Sequence, residues 1–557
     1  MNIPTKQTAV QLVGPDELAL NNDKPVDQPG PYGILAKIEA VGLCFSDLKL
    51  LKQFSEHARK SDVLEGIDAA VLPEIQSYCP NEKPVVPGHE AVATVVAVGD
   101  KVTKHQVGER VLIQTDYRWL KTANSNAAFG YNFEGGLQQY VLMDERVIVD
   151  PATDESFLIP VQGDNLSASA VALVEPWACV ESSYITDERR TLKSGGQLLV
   201  VADLGREILG LNESCAATGK PAAVTMCCAD PSQQMAVKGL GVTVSSVVDI
   251  ASLPDEGFDD IIYFGSQKAT LDVLNDKLAK GGIINIVLAG TPIGESVTVG
   301  VGRVHYGLTR WIGTSGVGAE ESYYTIPENG EIRDHERIAV IGAAGPMGQM
   351  HVIRLLCAGK QDVTVVATDL DDARLEALGK KASPAAQRNA VPLQLVNTQT
   401  QPLADSFTYF AIMVPVAPLV SQAIALSTRG TLINVFAGIP APVKHDLDLD
   451  TYINNRCFMF GTSGSRLIDM KIVLDKVTSG QLDTNCSVDA VSGMAGAIEG
   501  IRAVENRTLS GKIIVYPDLP EMGLVPLAEL EKQRPTVGDN LEQGLWTKNA
   551  ESALLAT

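Results

Sequence analysis

Three short stretches of this 557-residue chain carry side chains that could hold a metal ion. The stretch "GLCFSD" places Cys44 in a turn, "VPGHEA" places His89 beside Glu90, and "VEPWAC" places Glu175 before a proline. A thiolate, an imidazole and a carboxylate form an acceptable zinc site that keeps a fourth position open for water or substrate. A closed structural zinc site would instead need four ligands, mostly cysteine, and the chain has no C-x-x-C pair.

Each of these residues also has an ordinary structural interpretation. Cys44 fits a small buried apolar position, His89 a cap at the start of a strand, and Glu175 the first turn of a helix. The metal interpretation is favoured because the same chain carries a dinucleotide motif.

That motif is a glycine-rich loop between a predicted strand and a predicted helix. "VIGAAGPMGQMHVIRLL" spans residues 340–356 and contains Gly342, Gly345, Pro346, Met347 and Gly348. Glycines at these positions permit a tight turn and close approach of the backbone to a pyrophosphate, which binds at the helix N-terminus. The pattern therefore predicts a dinucleotide site.

Asp369 ends the next predicted strand, where a carboxylate accepts hydrogen bonds from the ribose hydroxyls of NAD. It would repel the additional phosphate of NADP, although Arg374 in the following helix keeps NADP open as an alternative. Asp369 could instead serve as a helix N-cap. The turns at Ala437 and Gly438 follow a later strand, at the sheet edge where the nicotinamide is expected.

The elements that position these residues change in character along the chain. Residues 1–150 contain short Val/Ile-rich segments separated by Gly and Pro, which predicts a β-rich domain. From about residue 195, buried strands alternate with helices, as in a parallel sheet covered on both faces. This alternation occurs twice. "VLAGTPIG" (287–294) parallels "VFAGIPAP" (435–442), and "WIGTSG" (311–316) parallels "MFGTSG" (459–464), both with an offset of 148 residues, so we predict a duplicated α/β domain.

The first copy has lost most of the glycine pattern. In "VVADLGREILG", Ala202 and Ile208 stand where the second copy has Gly342 and Gly348, and only Gly205 remains. A side chain at the third position would separate helix from strand and obstruct the phosphates. We therefore predict that the first copy binds no dinucleotide and acts as a packing partner for the second.

Composition limits the classes of partner. The net charge of −22 disfavours nucleic acid, and no apolar run approaches the length of a membrane span. Nine scattered cysteines do not resemble a disulfide framework, so a reducing cytoplasm is the expected location.

Several motifs together carry a family resemblance. "GLCFSD", "VPGHEAVATVVAVGDKV", "VGERV", "EGGLQQYV", "EPWACV" and "GAAGPMG" resemble the zinc-dependent medium-chain dehydrogenase/reductase family, which includes the alcohol dehydrogenases. "VEP" and "FGYNFEGGLQQYVLMDERV" are most similar to its polyol and sorbitol dehydrogenase and L-sorbose-1-phosphate reductase branch. The resemblance implies one catalytic zinc ion held by Cys44, His89 and Glu175, with Glu90 close enough to ligate or to exchange with water.

Further roles follow from the same resemblance. Asp47 would orient His89, and Ser46 would pass the substrate hydroxyl proton towards solvent. The implied fold is α/β: a GroES-like β-rich catalytic domain with two tandem Rossmann-like doubly wound parallel-sheet domains, the first degenerate. The expected boundaries are 1–190 for the catalytic domain, completed by 486–520; 191–318 for the degenerate domain; 335–485 for the NAD-binding domain; and 521–557 for a C-terminal tail.

The implied reaction is hydride transfer between NAD(H) and a secondary alcohol or ketone of a polyol or sugar phosphate. A phosphorylated substrate would favour Arg59, Lys60 or Arg118 as binding residues, although each also fits a solvated surface charge. A threonine-dehydrogenase-like or other secondary-alcohol dehydrogenase is an alternative, and so is a catalytically silent binding or scaffold protein. An oligomer is possible, but the duplicated domain could occupy the surface that a second subunit normally covers.

Overall fold

A computed structural model describes residues 3–163 and 165–556. The chain divides into two compact units, one of Met1–Glu181 with Ser465–Thr557 and one of Ser182–Gly464. The first unit thus ends at Glu181 rather than near residue 190, and it resumes at Ser465 rather than near residue 486. Within the described residues, no helix combines the length and the hydropathy needed to cross a membrane.

The N-terminal part of the first unit is mostly strand. Its strands are β1 (Lys6–Gly14), β2 (Glu17–Pro25), β3 (Gly33–Gly42), β4 (Glu90–Val98), β5 (Arg110–Ile113), β6 (Asp116–Lys121), β7 (Asn126–Ala128), β8 (Tyr140–Asp144) and β9 (Leu158–Pro160). Its helices are α1 (Phe45–Gln53), α2 (Glu145–Ile148), α3 (Ala168–Ala172) and α4 (Val174–Ser182).

The first α/β repeat opens the second unit. Its strands are β10 (Gln197–Ala202), β11 (Ala223–Cys228), β12 (Thr243–Ser246), β13 (Phe258–Phe264), β14 (Leu278–Val287), β15 (Val297–Val299) and β16 (Arg310–Thr314). Its helices are α5 (Pro231–Lys238), α6 (Lys268–Lys277), α7 (Gly302–Tyr306) and α8 (Glu320–Tyr323). Six strands form a parallel sheet in the order β12-β11-β10-β13-β14-β16. Residues 203–222, between β10 and β11, contain no helix although all of them are described.

The second repeat has the same sheet. Its strands are β17 (Arg337–Ile341), β18 (Thr364–Asp369), β19 (Leu393–Asn397), β20 (Phe407–Ile412), β21 (Ser427–Val435), β22 (His445–Leu447) and β23 (Phe458–Phe460). Its helices are α9 (Pro346–Leu356), α10 (Asp372–Arg388), α11 (Pro418–Ala425) and α12 (Leu449–Asn454). The parallel order β19-β18-β17-β20-β21-β23 repeats that of the first copy, so the predicted duplication is confirmed.

A short antiparallel ladder joins the two repeats. Strands β15 and β22 pair Val297 with Leu447, Thr298 with Asp446, and Val299 with His445. Because the two strands are equivalent at the offset of 148 residues, exchanging the repeats maps this ladder onto itself. The repeats are therefore related by an approximate two-fold axis, as in an isologous dimer. One hydrophobic cluster contains side chains from both.

The C-terminal part completes the first unit. It contains α13 (Leu467–Thr478), β24 (Val488–Ser492), α14 (Ala497–Asn506), β25 (Lys512–Val515), β26 (Val525–Pro526), α15 (Leu527–Gln533), α16 (Pro535–Gly538) and α17 (Lys548–Leu555). The main sheet has the order β26-β24-β25-β3-β4-β5-β9, and β8 pairs with β3.

The C-terminal tail packs close to a candidate site residue. Trp546 is buried, and the Glu551 carboxylate accepts hydrogen bonds from the backbone N–H groups of Ala168 and Ser169 at 2.6 and 2.8 Å. These contacts fix α3, which directly precedes the helix that carries Glu175. The tail thus helps to position that carboxylate.

Candidate metal and cofactor sites

The antiparallel pairing of β3 with β4 brings two of the candidate ligands together. Gly42 at the end of β3 lies opposite Glu90 at the start of β4, so Cys44 and His89 emerge from the same end of the pair. One ligand atom each from Cys44, His89 and Glu90 lies within 4.8 Å of the others. Three donor atoms this close together could hold one metal ion, and no other such group of three occurs among the described residues.

Asp47 orients the imidazole. Its Oδ1 atom lies 2.8 Å from His89 Nδ1, and its Oδ2 atom accepts the backbone N–H of Cys44 at 3.1 Å. Burial lowers the pKa of His89, but the charge and hydrogen bond of Asp47 outweigh it and raise that pKa well above its usual value. His89 Nε2 therefore points away from Asp47 and towards the candidate metal position.

Glu90 is fully buried and only half satisfied. Its Oε1 atom pairs with Lys512 Nζ at 2.5 Å, whereas its Oε2 atom has no hydrogen-bond partner among the described residues. Burial lowers the pKa of Lys512, but Glu90 and Cys44 raise it to about 12. Gly42 leaves the room that this carboxylate needs, since a Cβ atom there would lie 2.1 Å from Glu90 Oε2. A buried carboxylate oxygen without a partner is costly, so this donor set fits a bound cation.

Glu175 lies in the first turn of α4, outside that group of three. Burial raises its pKa to about 7; the charge of His89 lowers it and that of Glu90 raises it further. Glu175 is thus a close electrostatic neighbour of the group. The sequence prediction gave Glu175 as the third ligand and Glu90 as close enough to ligate; of these two carboxylates, Glu90 lies in the group with Cys44 and His89.

Ser46 occupies the open side of this group. Its hydroxyl donates to Cys44 Sγ at 3.1 Å and lies 3.2 Å from His89 Nε2. Cys44 and Ser46 are partly exposed, whereas His89 and Glu90 are buried, so a small molecule would approach from the Ser46 side. The centroid of the Tyr131 ring lies 5.7 Å from that of the His89 ring, so Tyr131 borders the same group of residues.

The three basic residues suggested for a substrate phosphate differ in their surroundings. Arg59 Nη2 lies 3.0 Å from an oxygen of Asp116, and its guanidinium covers the Tyr131 ring at 5.4 Å. Arg118 is partly exposed and donates to the Ser465 carbonyl at 2.7 Å. The suggestion for Lys60 is wrong.

Lys60 is committed to the backbone of its own segment. Its side chain is buried, and Nζ donates to the carbonyls of Cys79 and Lys83 at 2.6 and 2.7 Å. Burial lowers its pKa to about 8. It therefore has no exposed charge to offer a substrate.

Sequence reasoning missed three residues of this region: Lys512, Tyr131 and Cys179. The only signal for Lys512 was a lysine at the start of the apolar run "KIIVY". Tyr131 lies in the motif "FGYNFEGGLQQYVLMDERV", which by itself assigns this residue no role. Burial and the charge of Glu175 raise the pKa of Cys179 well above its usual value, which makes it a poor thiolate ligand.

The glycine loop of the second repeat has the expected geometry. Gly342 follows β17 with a φ of +77°, a conformation that favours glycine. A Cβ atom on Gly348 would lie 2.5 Å from the Gly342 carbonyl oxygen, so α9 packs closely on the loop only because that residue is glycine. Gly345 is the N-cap of α9, and Pro346 and Met347 form its first turn.

Asp369 ends β18 beside this loop. Its Oδ2 atom accepts the backbone N–H of Ala344 at 3.1 Å. Asp371, not Asp369, is the N-cap of α10, so the capping alternative is wrong. Arg374 also reaches the loop, because its Nη2 atom lies 3.5 Å from a Cβ atom built on Gly345.

The two predicted nicotinamide residues follow β21 at the same edge of the sheet. The backbone N–H of Ala437 donates to the Ile412 carbonyl at 2.9 Å. This hydrogen bond continues the pairing of β21 with β20 just beyond the end of β21. Gly438 follows Ala437 and faces the Tyr306 side chain of the first repeat.

In the first repeat, side chains make hydrogen bonds around the segment after β10, which corresponds to the glycine loop of the second repeat. Arg206 Nη1 donates to the Leu288 carbonyl at 2.9 Å, and Gln233 Nε2 donates to the carbonyls of Asp203 and Arg206 at 2.8 Å each. With no helix after β10, this repeat also lacks the helix N-terminus that binds a pyrophosphate.

Parts of this chain are similar to known proteins. The alcohol dehydrogenase GroES-like domain family matches residues 30–152. The uncharacterized protein YggP of Escherichia coli (strain K12) is 25% identical over 313 residues, which cover 51% of this chain and 68% of that protein. The L-sorbose 1-phosphate reductase of Klebsiella pneumoniae is 27% identical over 340 residues, or 56% and 75% of the two chains. The sorbitol dehydrogenase of Bos taurus is 37% identical over 101 residues, or 18% and 22%.

Proposed function

Because this chain is an alcohol dehydrogenase-like member of the medium-chain dehydrogenase/reductase family, we propose that it is a zinc-dependent, NAD(H)-linked dehydrogenase of polyols or sugar phosphates. The observation that carries the proposal is the half-satisfied Glu90 carboxylate beside Cys44 and His89. These three donor types suit a zinc ion with an open coordination position.

The bound groups would supply chemistry that no side chain of this site has: Lewis-acid polarisation of the substrate oxygen, and a nicotinamide that exchanges hydride. The protein does the rest. Asp47 accepts from His89 Nδ1 and so leaves Nε2 free to ligate. Ser46 Oγ would accept the proton that the substrate hydroxyl loses on oxidation while it passes its own proton towards solvent, and the relay would run in reverse on reduction.

The two carboxylates receive different roles in this proposal. Glu90 is the third ligand, because its Oε2 atom is unpaired and its partner Lys512 balances the charge of the site. Glu175 stands beside the group as a buried carboxylate, and burial raises its pKa. Ligation by Glu175 is the alternative, and metal analysis of Glu90→Gln beside Glu175→Gln distinguishes the two.

A cationic residue near the ligands supports an anionic group on the substrate. Arg59 covers Tyr131, and the charge of Glu175 acts on its pKa, so its guanidinium lies within electrostatic reach of the ligand set. Its single paired carboxylate, Asp116, leaves other N–H groups for a phosphate. Of the polyol substrates, we therefore favour phosphorylated ones.

The test measures metal and turnover in the same samples. Purified protein is expected to contain one zinc ion per chain, to lose activity with a chelator, and to change NADH absorbance with a polyol or its phosphate. Cys44→Ser and Glu90→Gln should lose zinc, whereas Cys79→Ser replaces a buried cysteine outside the group and should retain it. Zinc-loaded protein that turns over no alcohol or ketone with NAD(H) or NADP(H) would contradict the proposal.

A further inference from the structure

A tyrosine of the first repeat stands at the nicotinamide end of the second. Tyr306 ends α7, and a Cβ atom built on Gly438 would lie 2.3 Å from its Oη atom and 3.0 Å from its Cζ atom. Gly438 follows β21, and Gly342 follows the parallel strand β17, so both lie at the carboxyl edge of one sheet. A dinucleotide with its pyrophosphate at Gly342 extends along this edge towards Gly438.

Neighbouring contacts between the repeats hold this tyrosine in place. A Cβ atom on Gly461, in the next turn of the second repeat, would lie 3.0 Å from His305 Cα. Arg310 of the first repeat donates to the Gly461 carbonyl at 3.3 Å, and its guanidinium is held by both oxygens of Glu188 at 2.8 and 3.0 Å. Arg310 and Glu188 are buried, so the segment around Tyr306 is rigidly attached to the second repeat.

The Tyr306 side chain is nevertheless available to a ligand. It is 40% exposed, and its hydroxyl makes no hydrogen bond to any described residue. The His305 ring packs against it edge to face at 4.6 Å. An aromatic ring with an unused hydroxyl suits a partner that offers both a flat ring and polar groups.

The approximate two-fold axis provides an internal comparison. Asn454 follows Tyr306 by the repeat offset of 148 residues, and it lines a cavity of about 270 Å³ together with residues 313–316 of the first repeat. Each repeat therefore places one residue at a turn of the other: Tyr306 at the turn of Gly438, and Asn454 at residues 313–316, which correspond to residues 461–464 of the second repeat. Only the turn of the second repeat belongs to a repeat with a glycine loop.

We propose that Tyr306 is a positioning residue for a nicotinamide bound by the second repeat, supplied by the repeat that has lost its own nucleotide site. The inference rests on the proposed NAD(H) function. It assigns the first repeat a part in the reaction: without it the nicotinamide end of the site is incomplete.

The experiment compares two ligands that differ only at the nicotinamide. NADH and ADP-ribose are titrated into the full-length wild-type protein and into Tyr306→Ala, Tyr306→Phe and Asn454→Ala. We expect Tyr306→Ala to weaken NADH about five- to tenfold and to leave ADP-ribose unchanged, because one ring contact and one hydrogen bond are lost. Tyr306→Phe keeps the ring and should lose less, and Asn454→Ala should change neither affinity.

The outcomes separate this inference from the proposed function. Equal weakening of both ligands by Tyr306→Ala would mean a structural role and would overturn the inference, as would unchanged NADH affinity. Wild-type protein that binds neither NADH nor NADPH would overturn the proposed cofactor as well.

Discussion

The two α/β repeats have the same sheet topology, but only the second has the glycine loop expected to bind a dinucleotide. Each has six parallel strands in the same order, and they are joined by a self-complementary pair of short strands. The second has a helix after its first strand, with Gly348 packed on the loop, whereas the first has side chains in that place. The contacts between the repeats lie in the β15–β22 ladder and around α7, away from the glycine loop, and that loop is present only in the repeat where a dinucleotide would need it.

The largest effect should come from closing the glycine loop of the second repeat. A Cβ atom on Gly348 would meet the Gly342 carbonyl at 2.5 Å, so Gly348→Val must push α9 away and remove the pyrophosphate contacts. We expect NADH affinity to fall at least about 100-fold, as measured by calorimetry. Ala202→Gly in the first repeat is the matched control and should leave one NADH per chain. Binding of two NADH molecules per wild-type chain would show that the first repeat also binds a dinucleotide.

The next largest effect concerns the contact between the repeats. A Cβ atom on Gly302 would lie 2.0 Å from the Pro440 carbonyl oxygen, which is backbone and cannot move aside. Gly302→Val should therefore lower the free energy of unfolding by about 3 kcal/mol, measured by urea denaturation. The exposed Glu295→Ala, in the same segment, should leave it unchanged. Equal stability of the two variants would show that the repeats do not stabilise each other.

A smaller effect is expected at the carboxylate that distinguishes the two cofactors. Asp369 ends β18, whereas the first repeat ends its equivalent strand with Cys228. Asp369→Ser should weaken NADH about tenfold and narrow its advantage over NADPH, because a carboxylate–hydroxyl hydrogen bond is lost. Arg374→Ala should instead weaken NADPH. Kinetics with both cofactors give the measurement, and an NADPH preference in the wild-type protein would refute the NAD assignment.

The smallest effect is a pH dependence carried by α9, which only the second repeat has. Burial and the charge of Arg354 lower the pKa of His351 in that helix to about 3. The unfolded chain, with a pKa near 6.5, binds more protons between these values, so stability is lost as the pH falls below about 6.5. His351→Gln should reduce the slope of unfolding free energy against pH by up to about 1.4 kcal/mol per pH unit between pH 5 and 6.5. The exposed His335→Gln is the control, and an unchanged slope in His351→Gln would contradict the prediction.

The duplication could be predicted because it leaves a constant offset between matching turns. The missing helix of the first repeat could not, since "GREILGLNESCAATG" contains no proline and mixes apolar with polar residues as a surface helix does. In the structure, Gly205 and Gly210 have φ values of +77° and +79°, which a helix does not allow. Hydrogen bonds to Asp203 and Arg206 from outside this stretch take the place of helical ones.

The residue types of the candidate metal group could be predicted from the sequence, whereas the choice between Glu90 and Glu175 as the third member could not. His89 and Glu90 are adjacent in the chain, and adjacent residues within a strand point to opposite faces. Gly88, with a φ of +91°, turns the chain so that His89 precedes β4 and escapes that alternation. The pairing of Glu90 with Lys512 joins residues 422 positions apart, a contact that no local pattern in one sequence reveals.

The ladder of β15 and β22 has a consequence for how this molecule can change. An assembly of identical subunits carries every substitution on both sides of its axis, so neither half can lose a function alone. Here the two halves are one chain, and each position across the axis varies independently. Under the role proposed for Tyr306, one half contributes a side chain to the nicotinamide site of the other, and titration with NADH should follow a single hyperbola without interaction between equivalent sites.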